Sequence, residues 1–272
     1  MKIKNQIPYI LLWLIIPAVL GIIYPYIKHN QDYLGWLNTA LIIYVLFFSV
    51  VVHELTHGLA ARFCGDYTAE DAGRLTLNPV SHVSPVGSII LPLVLHMLHA
   101  SVVFGWAKPV PFNPINLKNH PRDQVMLAIA GPFSNFTLSY IFFCLYLILG
   151  MAFNHFFPQN IITLHLDVMT PMHITNVPFE PVWFIVFQSL SIGILINIFL
   201  GVFNLIPFPP LDGSWILKAL LPKKATVVYG KIQRYGFLLF IGAVYFHLLD
   251  IFFFPAIIIV GLLQYISLHF LG

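Results

Sequence analysis

Long apolar runs make up most of the chain, and its polar positions gather in short stretches between them. The runs at residues 7–27, 34–62, 125–153 and 182–206 are each long enough for a membrane-crossing helix, which needs about 20 residues. A longer run at 237–271 is interrupted by Asp250 and Pro255, which suits two short spans better than one. Residues 86–106 are also apolar, but Gly87, Pro92 and Gly105 break them and His96 and His99 sit among them. Within the polar stretch 64–85, Arg74-Leu75-Thr76-Leu77 alternates in character and stops at Asn78-Pro79, which predicts a short strand. Residues 108–122 are rich in Pro and Asn and predict a loop. Residues 154–181 are mixed and contain a strand-like segment at 161–168. The pattern predicts an all-α polytopic membrane protein with about six transmembrane helices, a re-entrant hairpin and a short β element. We expect one domain over 1–272, with no internal repeat and no low-complexity linker.

Composition narrows the class. Hydrophobic residues are 59% of the chain, charged residues 8%, and the mean hydropathy is +0.87. Soluble domains carry roughly 25% charged residues, so this surface would be too poor in charge to stay in water. A soluble enzyme, a disordered chain and a nucleic-acid-binding module are thereby excluded, and the lipid bilayer is the expected environment. Cys64 and Cys144 have no disulfide or metal spacing and read as small buried hydrophobes. The first run follows Lys2 and Lys4, exceeds the 7–15 residues of a cleavable signal core, and lacks a small-residue cleavage site. It reads as an uncleaved first span.

The cations choose among topologies. With Lys2 and Lys4 cytoplasmic and 86–106 dipping in and returning, every lysine and arginine except Lys28 falls inside. If 86–106 crossed instead, Lys108, Lys118 and Arg122 would lie outside. The re-entrant reading is therefore favoured, in a cell (plasma or inner) membrane. It brings the end of the second run, the start of the 125–153 run and the segment after residue 206 to one face.

The chemistry centres on His53-Glu54-Leu55-Thr56-His57. On a helix, positions i and i+4 share a face, so two imidazoles can bind one zinc, and the Glu beside the first can act as a base. Burying three such groups in an apolar run is costly without a purpose; a polar packing or proton-relay cluster is the competing reading. A hydrolytic zinc site takes three protein ligands and one open position. Of the 10 acidic residues, most read as loop, interfacial or external. Asp212 remains, where a span breaks into Phe203-Asn204-Leu205-Ile206-Pro207-Phe208-Pro209-Pro210-Leu211-Asp212-Gly213. It is a candidate third ligand, or alternatively the N-cap of a helix from Ser214.

The ordered set of H-E-L-T-H, A-G-P-F-S-N at 130–135 and F-N-L-I-P-F-P-P-L-D-G resembles the site-2 protease family of intramembrane zinc metalloproteases, over about 34–221. It is most similar to the compact bacterial members without PDZ or CBS modules. The resemblance implies one zinc ion per chain held by His53, His57 and Asp212, with Glu54 as general base. It implies that Asn204 steadies the oxyanion, and it matches Asn135 to a motif asparagine that is either structural or close to the site. Transmembrane proteins would be the substrates, cut near the cytoplasmic face. Arg74, Leu75, Thr76 and Leu77 are candidates for holding an unwound substrate by strand addition, or else form a structural hairpin. His82 is a second-sphere residue, a substrate contact or a satisfied interfacial histidine. His155, His165 and His173 have no ligand spacing and suggest no second metal. The rival functions are a membrane metal carrier or sensor without hydrolytic activity, and an inactive family member serving as an adaptor.

Overall fold

The computed structural model describes residues 6–90, 97, 107–119, 121–167, 171–172 and 174–271. Among these, five helices are long and apolar enough to cross a membrane: Ile7–Ile27, Gln31–Phe63, Arg122–Phe156, Glu180–Leu205 and a C-terminal stretch over Asp250–Leu271. We call the first two α1 and α2, and the next two α4 and α5. The regular part of the last, Phe254–Leu271, is α9. Short helices join them: α3 (Thr68–Asp71), α6 (Gly213–Leu220), α7 (Lys223–Gln233) and α8 (Gly236–Tyr245).

Side-chain pairs give the direction of each helix. In α2 and α4, His53 meets Asn135 and His57 meets Leu127, so the two run antiparallel. Helix α5 runs antiparallel to α4, because Asn135 meets Asn197 while Phe153 packs on Trp183. At the far end of the bundle, Lys28 pairs with Glu180 at 2.9 Å, and Asn154 donates to the Leu271 carbonyl. The end of α2, the start of α4 and the end of α5 therefore share the near face.

Close packing of α4 on α5 depends on missing side chains. In α5, Gly193 and Gly201 lie on one face, two turns apart, and receive Phe142 and Phe136 of α4. A Cβ there would stand 2.5 Å from Phe142 Cδ2 and 2.8 Å from Phe136 Cζ. Small residues at such contacts let helices approach in lipid, where apolar burial alone gives no drive. Phe143, Tyr146, Phe153, Phe187, Ile194 and Ile198 fill the seam, and Ile162, Leu164, Met172 and Ile174 from the far-side loop cap it.

Two expectations change. The last apolar run yields one span plus α8, whose 10 residues reach only about 15 Å, half the hydrocarbon thickness. Among the described residues five helices are of span length, and the expected count of about six is not confirmed there. The strand expected over Arg74, Leu75, Thr76 and Leu77 does not form, nor does one at 161–167, and no strand occurs among the described residues. The Arg74 N–H donates to the Ala69 carbonyl, and at Thr76 and Leu77 the backbone groups are met by side chains rather than by a partner strand. Gln6 Oε1 accepts from Leu77 N–H, Trp13 Nε1 donates to the Leu77 carbonyl, and His82 Nε2 donates to the Thr76 carbonyl. The expected hairpin at 86–106 lies largely outside the described residues, as do His96, His99 and His173; only a π-helical turn over Pro85–Ile90 is seen there.

Candidate metal centre

His53 and His57 project from the same face of α2, in its last third. Across from them, α5 ends at Leu205 and the prolines that follow turn the chain back, so that Asp212 faces the two rings. Gly213 makes this turn possible, because a Cβ there would collide with the carbonyl oxygens of Leu205 and Ile206. His53 Nε2 lies 3.1 Å and His57 Nε2 3.2 Å from Asp212 Oδ2, and the two nitrogens are 3.0 Å apart. Neighbouring ligands of a tetrahedral zinc with bonds near 2.0–2.1 Å are about 3.3 Å apart. The triangle has the right chemistry as well. His57 Nδ1 is 2.8 Å from the Leu127 carbonyl, which only accepts, so Nδ1 holds a proton, and in the neutral ring Nε2 offers its lone pair toward Asp212. Two neutral imidazoles and a carboxylate converging in this way offer their lone pairs to one cation, and the residues present fit zinc.

Glu54 lies beside this triangle and lines a cleft of about 640 Å³ together with Val50, Phe112, Phe203, Trp215 and Phe237. Its Oε2 accepts from Val110 N–H at 2.9 Å. The extended segment carrying Val110 is anchored on both sides. Lys108 N–H donates to the His82 carbonyl, Arg74 Nη2 donates to the Lys108 carbonyl, and Asn113 N–H donates to Asp66 Oδ2. Asp66, just past α2, is buried and also accepts from Thr68 and Asn116. Burial would raise its carboxyl pKa, but these hydrogen bonds outweigh that and hold it below the ordinary value.

The remaining predicted residues are placed as follows. Asn204 lines the cleft and gives Nδ2 to the Leu200 carbonyl one turn back. Asn135 is fully buried, with Oδ1 2.6 Å from His53 Nδ1, so it is close to the site. His82 does not line the cleft. It is fully buried, burial pushes its imidazole below the ordinary value, and Nδ1 has no partner among the described residues. It supports the Val110 segment through its backbone. Arg74 does the same through its guanidinium, Leu75 packs with Leu55, Ala69 and Val110, and Thr76 and Leu77 join Gln6. None of these four faces the metal triangle.

Sequence reasoning missed two glycines. Gly131 is the floor under both imidazoles: a Cβ there would lie 2.5 Å from His53 Cε1 and closer still to His57 Nε2. Gly58 lets Leu75 and Val110 lie against α2, its own Cβ position being 2.5 Å from Leu75 Cδ2. Their position next to H-E-L-T-H and inside A-G-P was the only available signal. Glycine in a helix interior costs about 1 kcal/mol against alanine, so it needs a packing reason.

A family model described as peptidase family M50 matches residues 41–245. Three relatives bear the name "Putative zinc metalloprotease". The chain is 32% identical over 200 residues to YwhC of Bacillus subtilis, covering 74% of this chain and 78% of that one. Against Rip2 of Mycolicibacterium smegmatis, identity is 24% over 70% of this chain and 61% of the other. Against MJ0611 of Methanocaldococcus jannaschii it is 27%, over 62% and 64%. The chain therefore spans less than two thirds of the last two. No solved structure matches it.

Proposed function

This chain belongs to peptidase family M50, the site-2 protease family, and on that premise we propose that it is an intramembrane endopeptidase cutting transmembrane segments of other proteins. The coarser statement is direct: it is a multi-pass membrane metalloprotease with a zinc cofactor. The observation carrying the finer one is the convergence of His53, His57 and Asp212 within 3.2 Å, beside Glu54, in an apolar cleft between span-length helices.

In this reading His53, His57 and Asp212 hold the ion. When bound, zinc supplies a Lewis acid that polarises the scissile carbonyl and lets water ionise near neutral pH. Glu54 takes the proton of the attacking water and returns it to the leaving amine nitrogen. Val110 N–H fixes one of its carboxylate oxygens and leaves the other for that proton. Asn204 has a second N–H beyond the one given to Leu200, and this is the donor for the oxyanion. A helical substrate hides its carbonyls in its own hydrogen bonds, so the cleft takes an unwound apolar segment. The near face carries Arg62, Arg74, Lys118, Arg122 and Lys218, whereas Lys28 is at the far end. This asymmetry supports a cytoplasmic active site in a cell membrane.

The test uses purified protein and a labelled membrane-spanning substrate. Glu54→Gln should keep zinc and lose about 10²–10⁴ of the cleavage rate, as for removal of a general base. Full cleavage by that variant, or cleavage unaffected by a strong chelator, overturns the proposal. Vesicle metal transport that survives Glu54→Gln would favour a carrier instead.

A further inference from the structure

Helix α5 carries none of the three candidate ligands, yet it reaches His53 through two buried amides. The relay starts at the Gly193 carbonyl, which can only accept. It lies 2.8 Å from Asn197 Nδ2. The same nitrogen is 2.8 Å from Ser49 Oγ, and Ser49 gives its own hydrogen to the Val45 carbonyl, so Ser49 accepts here. Two acceptors therefore fix the amide nitrogen of Asn197, and its oxygen must face Asn135. Across that 2.8 Å contact Asn135 has to donate with Nδ2. Its own oxygen is then left facing His53 Nδ1 at 2.6 Å. Asn135, Asn197 and Ser49 are all fully buried. Flipping either amide would set donor against donor or acceptor against acceptor away from water.

We infer that the Gly193 carbonyl, acting through Asn197 and Asn135, fixes the proton of His53 on Nδ1, which makes Asn197 a positioning residue for the metal centre. His57 obtains the same tautomer directly from the Leu127 carbonyl. Among the described residues His53 Nδ1 meets the Asn135 amide rather than a backbone carbonyl, and so borrows a carbonyl from another helix. With both protons held on Nδ1, both Nε2 lone pairs point at Asp212. In the other tautomer His53 would present an N–H to Asp212 and make a hydrogen bond instead of a ligand. Ser49, His53 and His57 are successive i, i+4 positions on α2, and Gly193 and Asn197 are i, i+4 on α5. The relay is thus built from ordinary helical spacing. It rests on the reading of His53 as a zinc ligand.

Two measurements test it. In zinc-free protein labelled with ¹⁵N-histidine, the His53 signals should be those of the Nδ1–H tautomer. A majority Nε2–H form overturns the inference without any variant. For the second, Asn197→Leu should weaken zinc binding about 10–100-fold in chelator competition, as for loss of an outer-sphere partner. In an Asn135→Asp background the same substitution should cost less than about threefold, because either carboxylate oxygen accepts from Nδ1. Equal losses in the two backgrounds would mean that Asn197 only supports packing, and would overturn the inference. Wild-type protein that binds no zinc would overturn the metal reading instead, and the tautomer measurement then decides this one.

Discussion

Replacing Gly131 by alanine sets two effects against each other whose sizes follow from the structure. Glycine inside a helix is worse than alanine by about 1 kcal/mol, so α4 by itself should gain from the change. However, the new Cβ would lie 2.5 Å from His53 Cε1 and 2.6 Å from His53 Nε2, where ordinary contact begins near 3.4 Å. The rings must retreat by about 1 Å, whereas metal–ligand distances tolerate only about 0.2 Å. Without zinc, the imidazoles can retreat toward the cleft only by giving up their hydrogen bonds to Asn135 and the Leu127 carbonyl, which offsets the helix gain. With zinc, they cannot retreat and still ligate. The expected signature is a double loss: zinc-free protein destabilised by about 1–3 kcal/mol as buried hydrogen bonds break, and zinc affinity down by at least about 10–100-fold, roughly 1.4–2.7 kcal/mol. Chelator competition and melting in the same detergent measure both. Gly35→Ala is the control, since nothing lies within 4 Å of a Cβ there; it should leave zinc affinity untouched. If Gly131→Ala binds zinc as tightly as wild type, the rings do not rest on α4 and the geometry of the centre is wrong.

Two other predictions concern the Val110 segment and the topology. Asp66→Asn sets an amide among N–H and O–H donors and should destabilise the protein by about 1–3 kcal/mol at neutral pH. Because the native carboxyl value is lowered, this contribution is complete above about pH 4 and is lost as pH falls through the native value. Melting curves of the two proteins should therefore converge as the pH falls below about 4, and a gap that does not narrow in acid would refute the role given to the carboxylate. Lys118→Cys, in a background without Cys64 and Cys144, should react with an impermeant thiol reagent only from the cytoplasmic side. Reaction from outside would invert the orientation proposed for the active site.

Much of this protein could be read along the chain because lipid imposes a one-dimensional rule. A span must be long and apolar, and cations collect on one side, so run lengths and the lone position of Lys28 were enough to outline the bundle. The i, i+4 imidazoles were legible for the same reason, since a helix converts spacing into a face. Contacts between segments far apart in sequence were not legible. The backbone of Thr76 and Leu77 bonds to Gln6, Trp13 and His82 in place of a partner strand, and no local pattern records those distant partners. Helix α8 falls short of a span because the chain turns after Tyr245, despite apolar residues on both sides. Gly131 and Gly58 look like ordinary helix-weakening residues until the rings and loops that occupy their missing side chains are seen. Composition and period determined which segments enter the bilayer and which side chains can bind metal. Tertiary packing alone decided which atoms of those side chains face one another, because hydrogen-bond direction passes between helices through space and leaves no period in the sequence.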